Sequence, residues 1–118
     1  MSLYQLSFLG DAVFELMVRE YIISKNVVKL KDLQELTLNY VTAKKQAYFL
    51  DSLVKNSFLN QEELDIVRRG RNIKTHKSPK NCDMITYKYA TAFEILVGYL
   101  YNNDKKRLNE VFNYIISL

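Results

Sequence analysis

Leu9-Gly10-Asp11-Ala12-Val13-Phe14-Glu15-Leu16-Met17-Val18 places two carboxylates inside a run that otherwise reads as buried helix. An ionised carboxylate in such a run is costly unless a cation or hydrogen bonds meet it. A second run, Thr91-Ala92-Phe93-Glu94-Ile95-Leu96-Val97-Gly98-Tyr99-Leu100-Tyr101, carries a third. Two helices that each present one carboxylate can clamp a divalent metal between them. Outward from the first run, a helix is expected over Leu3–Ser24. It is apolar on most faces, so it is buried on more than one side, at the core centre or at a subunit interface.

The rest of the chain reads the same way. Pro79 is the only proline, and Gly10, Gly70 and Gly98 are the only glycines, so turn signals are scarce and helical periodicity dominates. A short helix is expected over Leu30–Asn39. Thr42 caps the next, which carries Ala43, Ala47, Leu50, Leu53 and Val54. Asn60 and Glu63 form a capping box for a helix that reaches Arg69, with Gly70 as its C-terminal cap. Arg71–Lys80 reads as an exposed loop. A long helix starts at Asn81 or Asp83 and ends near Tyr101, and a last one starts at Asp104. The expectation is an all-α single domain over 1–118, with about six to seven helices.

Composition narrows the function. The chain has 118 residues, 48% of them apolar, and a net charge of +4. No stretch approaches the ~20 apolar residues of a membrane span, and no signal peptide is apparent. The single Cys82 excludes an internal disulfide or a multi-cysteine zinc site and fits a reducing cytoplasm. Between Ile66 and Cys82 there is no acidic residue, whereas Arg68, Arg69, Arg71, Lys74, Lys77 and Lys80 all fall there. That basic stretch on a slightly acidic body suggests an anionic partner; a solvated loop is the plain alternative.

Gly10 and Asp11 each break a local rule. Glycine inside a helix costs about 1 kcal/mol relative to alanine, and aspartate competes for nearby backbone groups. Such violations gather at functional sites; the alternative is an aspartate bonded to a neighbouring helix end. Glu15 lies four residues after Asp11, but Arg19 lies four further on and can pair with it, which favours a structural role. Glu94 has no Lys or Arg three or four residues beyond it. Its charge is met by a metal or by a distant cation, such as one from the basic loop. His76, the only histidine, reads as a phosphate contact or a solvent-exposed side chain. No nucleophile triad, glycine-rich phosphate loop or zinc spacing is present.

Together these segments resemble ribonuclease III domains. Leu6-Ser7-Phe8-Leu9-Gly10-Asp11-Ala12-Val13 is similar to the family's signature helix. Arg68-Arg69-Gly70-Arg71-Asn72, Pro79-Lys80-Asn81 and Tyr89-Ala90-Thr91-Ala92-Phe93-Glu94 are similar to the compact Mini-III branch, which lacks a double-stranded-RNA-binding domain. The likeness runs from Leu6 to Tyr101. It implies an all-helical fold and a homodimer formed through the signature helix. It implies Mg²⁺-dependent hydrolysis of double-stranded RNA, with Mn²⁺ as a substitute ion.

By the same resemblance, Asp11 and Glu94 are the metal ligands. Ser7 and Thr91 replace two carboxylates of the longer family members and are placed to hold metal-bound waters. Arg68, Arg69, Arg71, Lys74, His76, Lys77 and Lys80 would contact RNA phosphates. Mini-III enzymes are associated with maturing the ends of large-subunit (23S) ribosomal RNA precursors in the cytoplasm, with room for a ribosomal-protein helper and no membrane. Two other readings fit the residues. One is a ribonuclease III-like domain that binds ribosomal RNA without cutting it, against which the presence of both Asp11 and Glu94 argues. The other is a helical interaction module whose basic loop meets an acidic partner.

Overall fold

Short-range capping sets most helix starts. Helix α1 (Leu3–Ser24) begins where Ser2 Oγ accepts the Gln5 N–H at 3.1 Å and the Gln5 side chain accepts the Ser2 N–H at 2.8 Å. Helix α2 (Leu30–Val41) starts without a side-chain cap. Thr42 caps α3 (Ala43–Lys55), and Asn60 with Glu63 boxes the start of α4 (Gln61–Arg71). Asp83 caps α5 (Met84–Asn103) and Asp104 caps α6 (Lys105–Ile116). The structure, a computed structural model, describes residues 1–74 and 82–118. All six helices and no strand lie among them, as the all-α expectation required.

Helix α5 is the centre of the fold. Its Ala92, Phe93, Ile95 and Leu96 are fully buried. Helix α1 lies along it in the most extensive packing of the molecule, and α3 and α4 also pack on it. Phe14 of α1 meets Phe93 edge-on at 4.9 Å, with Phe49 and Phe112 further around the same ring. Edge-to-face rings of this kind add to the apolar burial that drives the packing.

The end of α4 departs from the sequence reading. Gly70 is not a cap: it lies buried in the last turn of α4, and Asn72 follows as the cap with φ −99°. A Cβ at Gly70 would come 3.1 Å from Ile95 Cδ1 and 3.2 Å from Ala92 Cα. The glycine there answers close helix packing, not a left-handed turn. Arg71, expected in the exposed loop, is therefore the final residue of α4 and is half-buried.

Helix α6 is pinned by charge as well as by its apolar face. Glu63, 2% exposed, accepts hydrogen bonds from Arg107 Nε at 2.7 Å and Arg107 Nη2 at 2.8 Å. The same guanidinium reaches the Phe58 carbonyl at 2.6 Å and stacks on the Phe58 ring. Burial alone would push the Glu63 carboxyl up, but the bonds from Arg107 and Asn60 hold it below the usual carboxylate range. Removing one partner of a buried pair strands the other charge. Arg107→Met is therefore expected to cost about 3–5 kcal/mol. The check is thermal unfolding, where the midpoint should fall by roughly 10 °C or more.

Candidate active site

Gly10 and Gly98 let α1 and α5 meet backbone to backbone. A Cβ on Gly10 would sit 1.8 Å from the Glu94 carbonyl oxygen and 2.9 Å from the Gly98 nitrogen. A Cβ on Gly98 would sit 2.2 Å from the Leu6 carbonyl oxygen. Only glycine permits that approach. The Gly-Asp pair that looked wrong inside a helix now has its reason. Gly10 admits α5, and the next residue, Asp11, stands at the edge of the seam.

The seam brings three oxygen-bearing side chains together. Ser7 Oγ donates to Glu94 Oε1 at 3.1 Å. Asp11, one turn along α1 from Ser7, lies near enough to Glu94 to act on its carboxyl. Asp11 is exposed and Glu94 is half-buried. Burial raises the Glu94 carboxyl, Asp11 raises it further, and Ser7 pulls the other way; the result is about 8. At pH 7 and without an ion, that value leaves the Glu94 carboxyl largely protonated. Thr91 is buried three residues before Glu94 and makes no hydrogen bond to it among the described residues.

This donor set fits a hard cation. Two carboxylates and a hydroxyl supply the oxygen ligands that Mg²⁺ prefers. Among the described residues, no Lys or Arg forms an ion pair with Asp11 or Glu94, so the distant-cation alternative finds no partner there. No cluster of three His, Cys, Asp or Glu forms among the described residues either. An ion here would keep several of its own waters, which suits Mg²⁺ better than a fully dehydrated metal. Glu15 is occupied elsewhere: it accepts from Arg19 at 2.8 Å, as its spacing suggested.

A pH dependence follows. Were Glu94 to hold a metal, the ion would compete with the proton of a carboxyl whose folded value lies above the ordinary 4.5, at about 8. Divalent-metal affinity is therefore expected to rise with pH, about tenfold per unit below that value, and to level off above it. Calorimetric Mg²⁺ titrations between pH 6 and 9 check this. An affinity that is flat from pH 6 to 8 would remove Glu94 from the ligand set.

The basic residues divide into distinct environments. Arg68 pairs with Asp65 at 2.6 Å in solvent, and Arg69 is exposed. Arg71 Nη1 donates to the Tyr89 hydroxyl at 3.3 Å, its guanidinium lies 5.5 Å from that ring's centre, and its buried Nε has no acceptor among the described residues. Lys74 is exposed, and its carbonyl accepts from the Tyr4 hydroxyl at 2.9 Å. His76, Lys77 and Lys80 lie outside the described residues, as do Pro79 and Asn81. Sequence reasoning passed over Tyr4, because nothing local marks a tyrosine whose partner is 70 positions away.

A ribonuclease III domain model matches residues 4–105. A Mini-ribonuclease 3 of Clostridium tetani is 42% identical over 115 residues, covering 96% of this chain and 75% of that protein. The Mini-ribonuclease 3 of Brevibacillus brevis is 47% identical over 107 residues, covering 90% of this chain and 78% of its own. A solved structure of a Fusobacterium nucleatum protein superposes with a TM-score of 0.87 at 28% identity, covering 99% of this chain and 94% of that one. Both carboxylate-bearing segments fall inside the matched range. The chain belongs to the ribonuclease III family, in its Mini-ribonuclease 3 branch, and is an endoribonuclease.

Proposed function

We propose that this endoribonuclease cleaves double-stranded RNA with Mg²⁺, or Mn²⁺ in its place, held by Asp11 and Glu94. The observation that carries the reading is the glycine seam, which presses those two carboxylates together with Ser7 and leaves Asp11 open to solvent. A bound Mg²⁺ supplies a water of lowered pKa and offsets charge on the phosphate. Ser7 orients Glu94 toward Asp11, and Thr91 packs one turn away. Water adds across the P–O3′ bond, leaving a 5′ phosphate and a 3′ hydroxyl.

Substrate grip falls to the basic stretch. Arg68, Arg69, Arg71 and Lys74, followed in the chain by His76, Lys77 and Lys80, supply cations for the phosphates of an A-form duplex, which is recognised by shape and backbone. Affinity gathered this way falls steeply with salt. A second copy of the chain would cover the exposed apolar face of α1, where Phe8 is 85%, Leu16 59% and Ile23 60% exposed. That homodimer sets two sites against the two strands. The resemblance to Mini-III enzymes supports precursor 23S ribosomal RNA as the substrate, in the cytoplasm, with a ribosomal-protein helper where the RNA needs presenting. Among the described residues, no helix is long and apolar enough to cross a membrane. A single catalytic domain spanning 1–118 is part of the same proposal.

The test is cleavage of an end-labelled RNA duplex and of its separated strands, with Mg²⁺ or with EDTA. Cutting of the duplex alone, and only with the ion, is the expected result. Binding of the duplex without cutting would move the function to a silent RNA-binding domain.

A further inference from the structure

The base of the basic stretch is fastened to both helices that carry the carboxylates. Gly70 packs against Ala92 of α5, with 3.2 Å between a Cβ placed there and the Ala92 Cα. Arg71 rests on Tyr89, also of α5. Lys74 is reached from α1 by the Tyr4 hydroxyl at 2.9 Å. On α1, Tyr4, Ser7 and Asp11 stand three and then four residues apart, so they share one stripe of the helix. The hydrogen bond thus joins the backbone at Lys74 to the stripe that presents Ser7 and Asp11.

The bond is selective in what it constrains. Tyr4 is 59% exposed, so its ring contributes little to the core. Its hydroxyl is the part that is used, and the acceptor is a main-chain carbonyl beyond the cap of α4, where the helix ladder no longer fixes the backbone. A main-chain acceptor fixes where the chain runs, whatever the lysine side chain does. Beside it, Ile73 packs against the core, so the Tyr4 bond is what reaches the Lys74 backbone from α1.

We propose that Tyr4 is a positioning residue for substrate binding: its hydroxyl sets the backbone at Lys74 and so aligns that cation with the Asp11–Glu94 pair. This rests on the duplex-RNA reading above. Tyr4 touches neither the carboxylates nor the scissile phosphate in this assignment. Its loss weakens the grip on RNA and leaves the chemical step alone.

Tyr4→Phe removes the hydroxyl and nothing else. The experiment measures KM and kcat for a labelled RNA duplex at saturating Mg²⁺, for the wild type and Y4F side by side. Amide hydrogen exchange and thermal midpoint are recorded on the same samples. The expected result is a KM about 2- to 10-fold higher, the change that one net hydrogen bond can supply. The kcat stays within twofold, the midpoint is unchanged and exchange is faster at residues 72–74. Equal KM values, with the wild type cutting normally, overturn this proposal alone. A fall in kcat at constant KM also overturns it, by placing Tyr4 in the chemistry. A wild type that neither binds nor cuts the duplex overturns the functional reading and this proposal with it.

Discussion

A protein carrying Glu94→Gln is expected to bind duplex RNA and leave it intact. Glutamine keeps the shape of glutamate and can still accept the Ser7 hydroxyl, which donates to Glu94 at 3.1 Å in the wild type. It cannot carry the negative charge that a divalent ion needs. Folding should be untouched. Without an ion the wild-type carboxyl is already neutral at pH 7, because its value is pushed up to about 8, so one neutral group replaces another. The loss of activity should exceed the roughly 10–100-fold that removal of an outer-shell partner costs. Ser7→Ala should stay within that range. Asp11→Asn should match Glu94→Gln, and the double variant should be little worse than either, because residues that act as a unit are not additive. Single-turnover cleavage at saturating enzyme measures all four. A Glu94→Gln protein that retained a tenth of the wild-type rate would exclude Glu94 as a ligand.

Gly10→Ala carries the second large effect, and its sign is the informative part. At an exposed helical position the same change stabilises by about 1 kcal/mol. Here the new methyl would lie 1.8 Å from the Glu94 carbonyl oxygen, and the obstacle is backbone. The helices must part along their largest contact. Overpacking of this kind costs typically 1–3 kcal/mol and here should reach the top of that range or pass it. Separation of α1 from α5 also separates Asp11 from Glu94, and a displacement of about 1 Å can cost on the order of 10²-fold in rate. Gly70→Ala is the control. Its nearest atom is the flexible Ile95 Cδ1 at 3.1 Å, so the change should be milder and leave the carboxylates in place. Urea unfolding and cleavage rates on both proteins make the comparison. A more stable Gly10→Ala protein would contradict the seam.

What the sequence revealed was local or periodic. The span of α1 follows from its apolar spacing, and it runs over Leu3–Ser24 as expected. The Asn60–Glu63 box was legible for the same reason, since its partners are three residues apart. The second task of Glu63 was not, because Arg107 stands 44 positions away. Gly70 was misread because a glycine at a helix end signals a left-handed turn as readily as a close approach, and only the position of Ala92 decides between them. Asp11 and Glu94 stood out as carboxylates in apolar runs, an expense that Glu94 bears and the exposed Asp11 does not. That expense could not show that they meet, nor that Ser7 joins them. Tyr4 gave no signal, since tyrosine is unremarkable in a helix and its hydroxyl works at long range.

The pairing of α1 with α5 joins positions almost a chain apart. Ser7 and Glu94 are separated by 87 residues. Closing a loop of that length costs about 4 kcal/mol in chain entropy, before any constant term. No fragment that lacks either helix can hold the seam. On the assignment of Asp11 and Glu94 proposed above, a growing polypeptide has no cutting site until α5 has been made, and a local opening of α1 from α5 would abolish cutting.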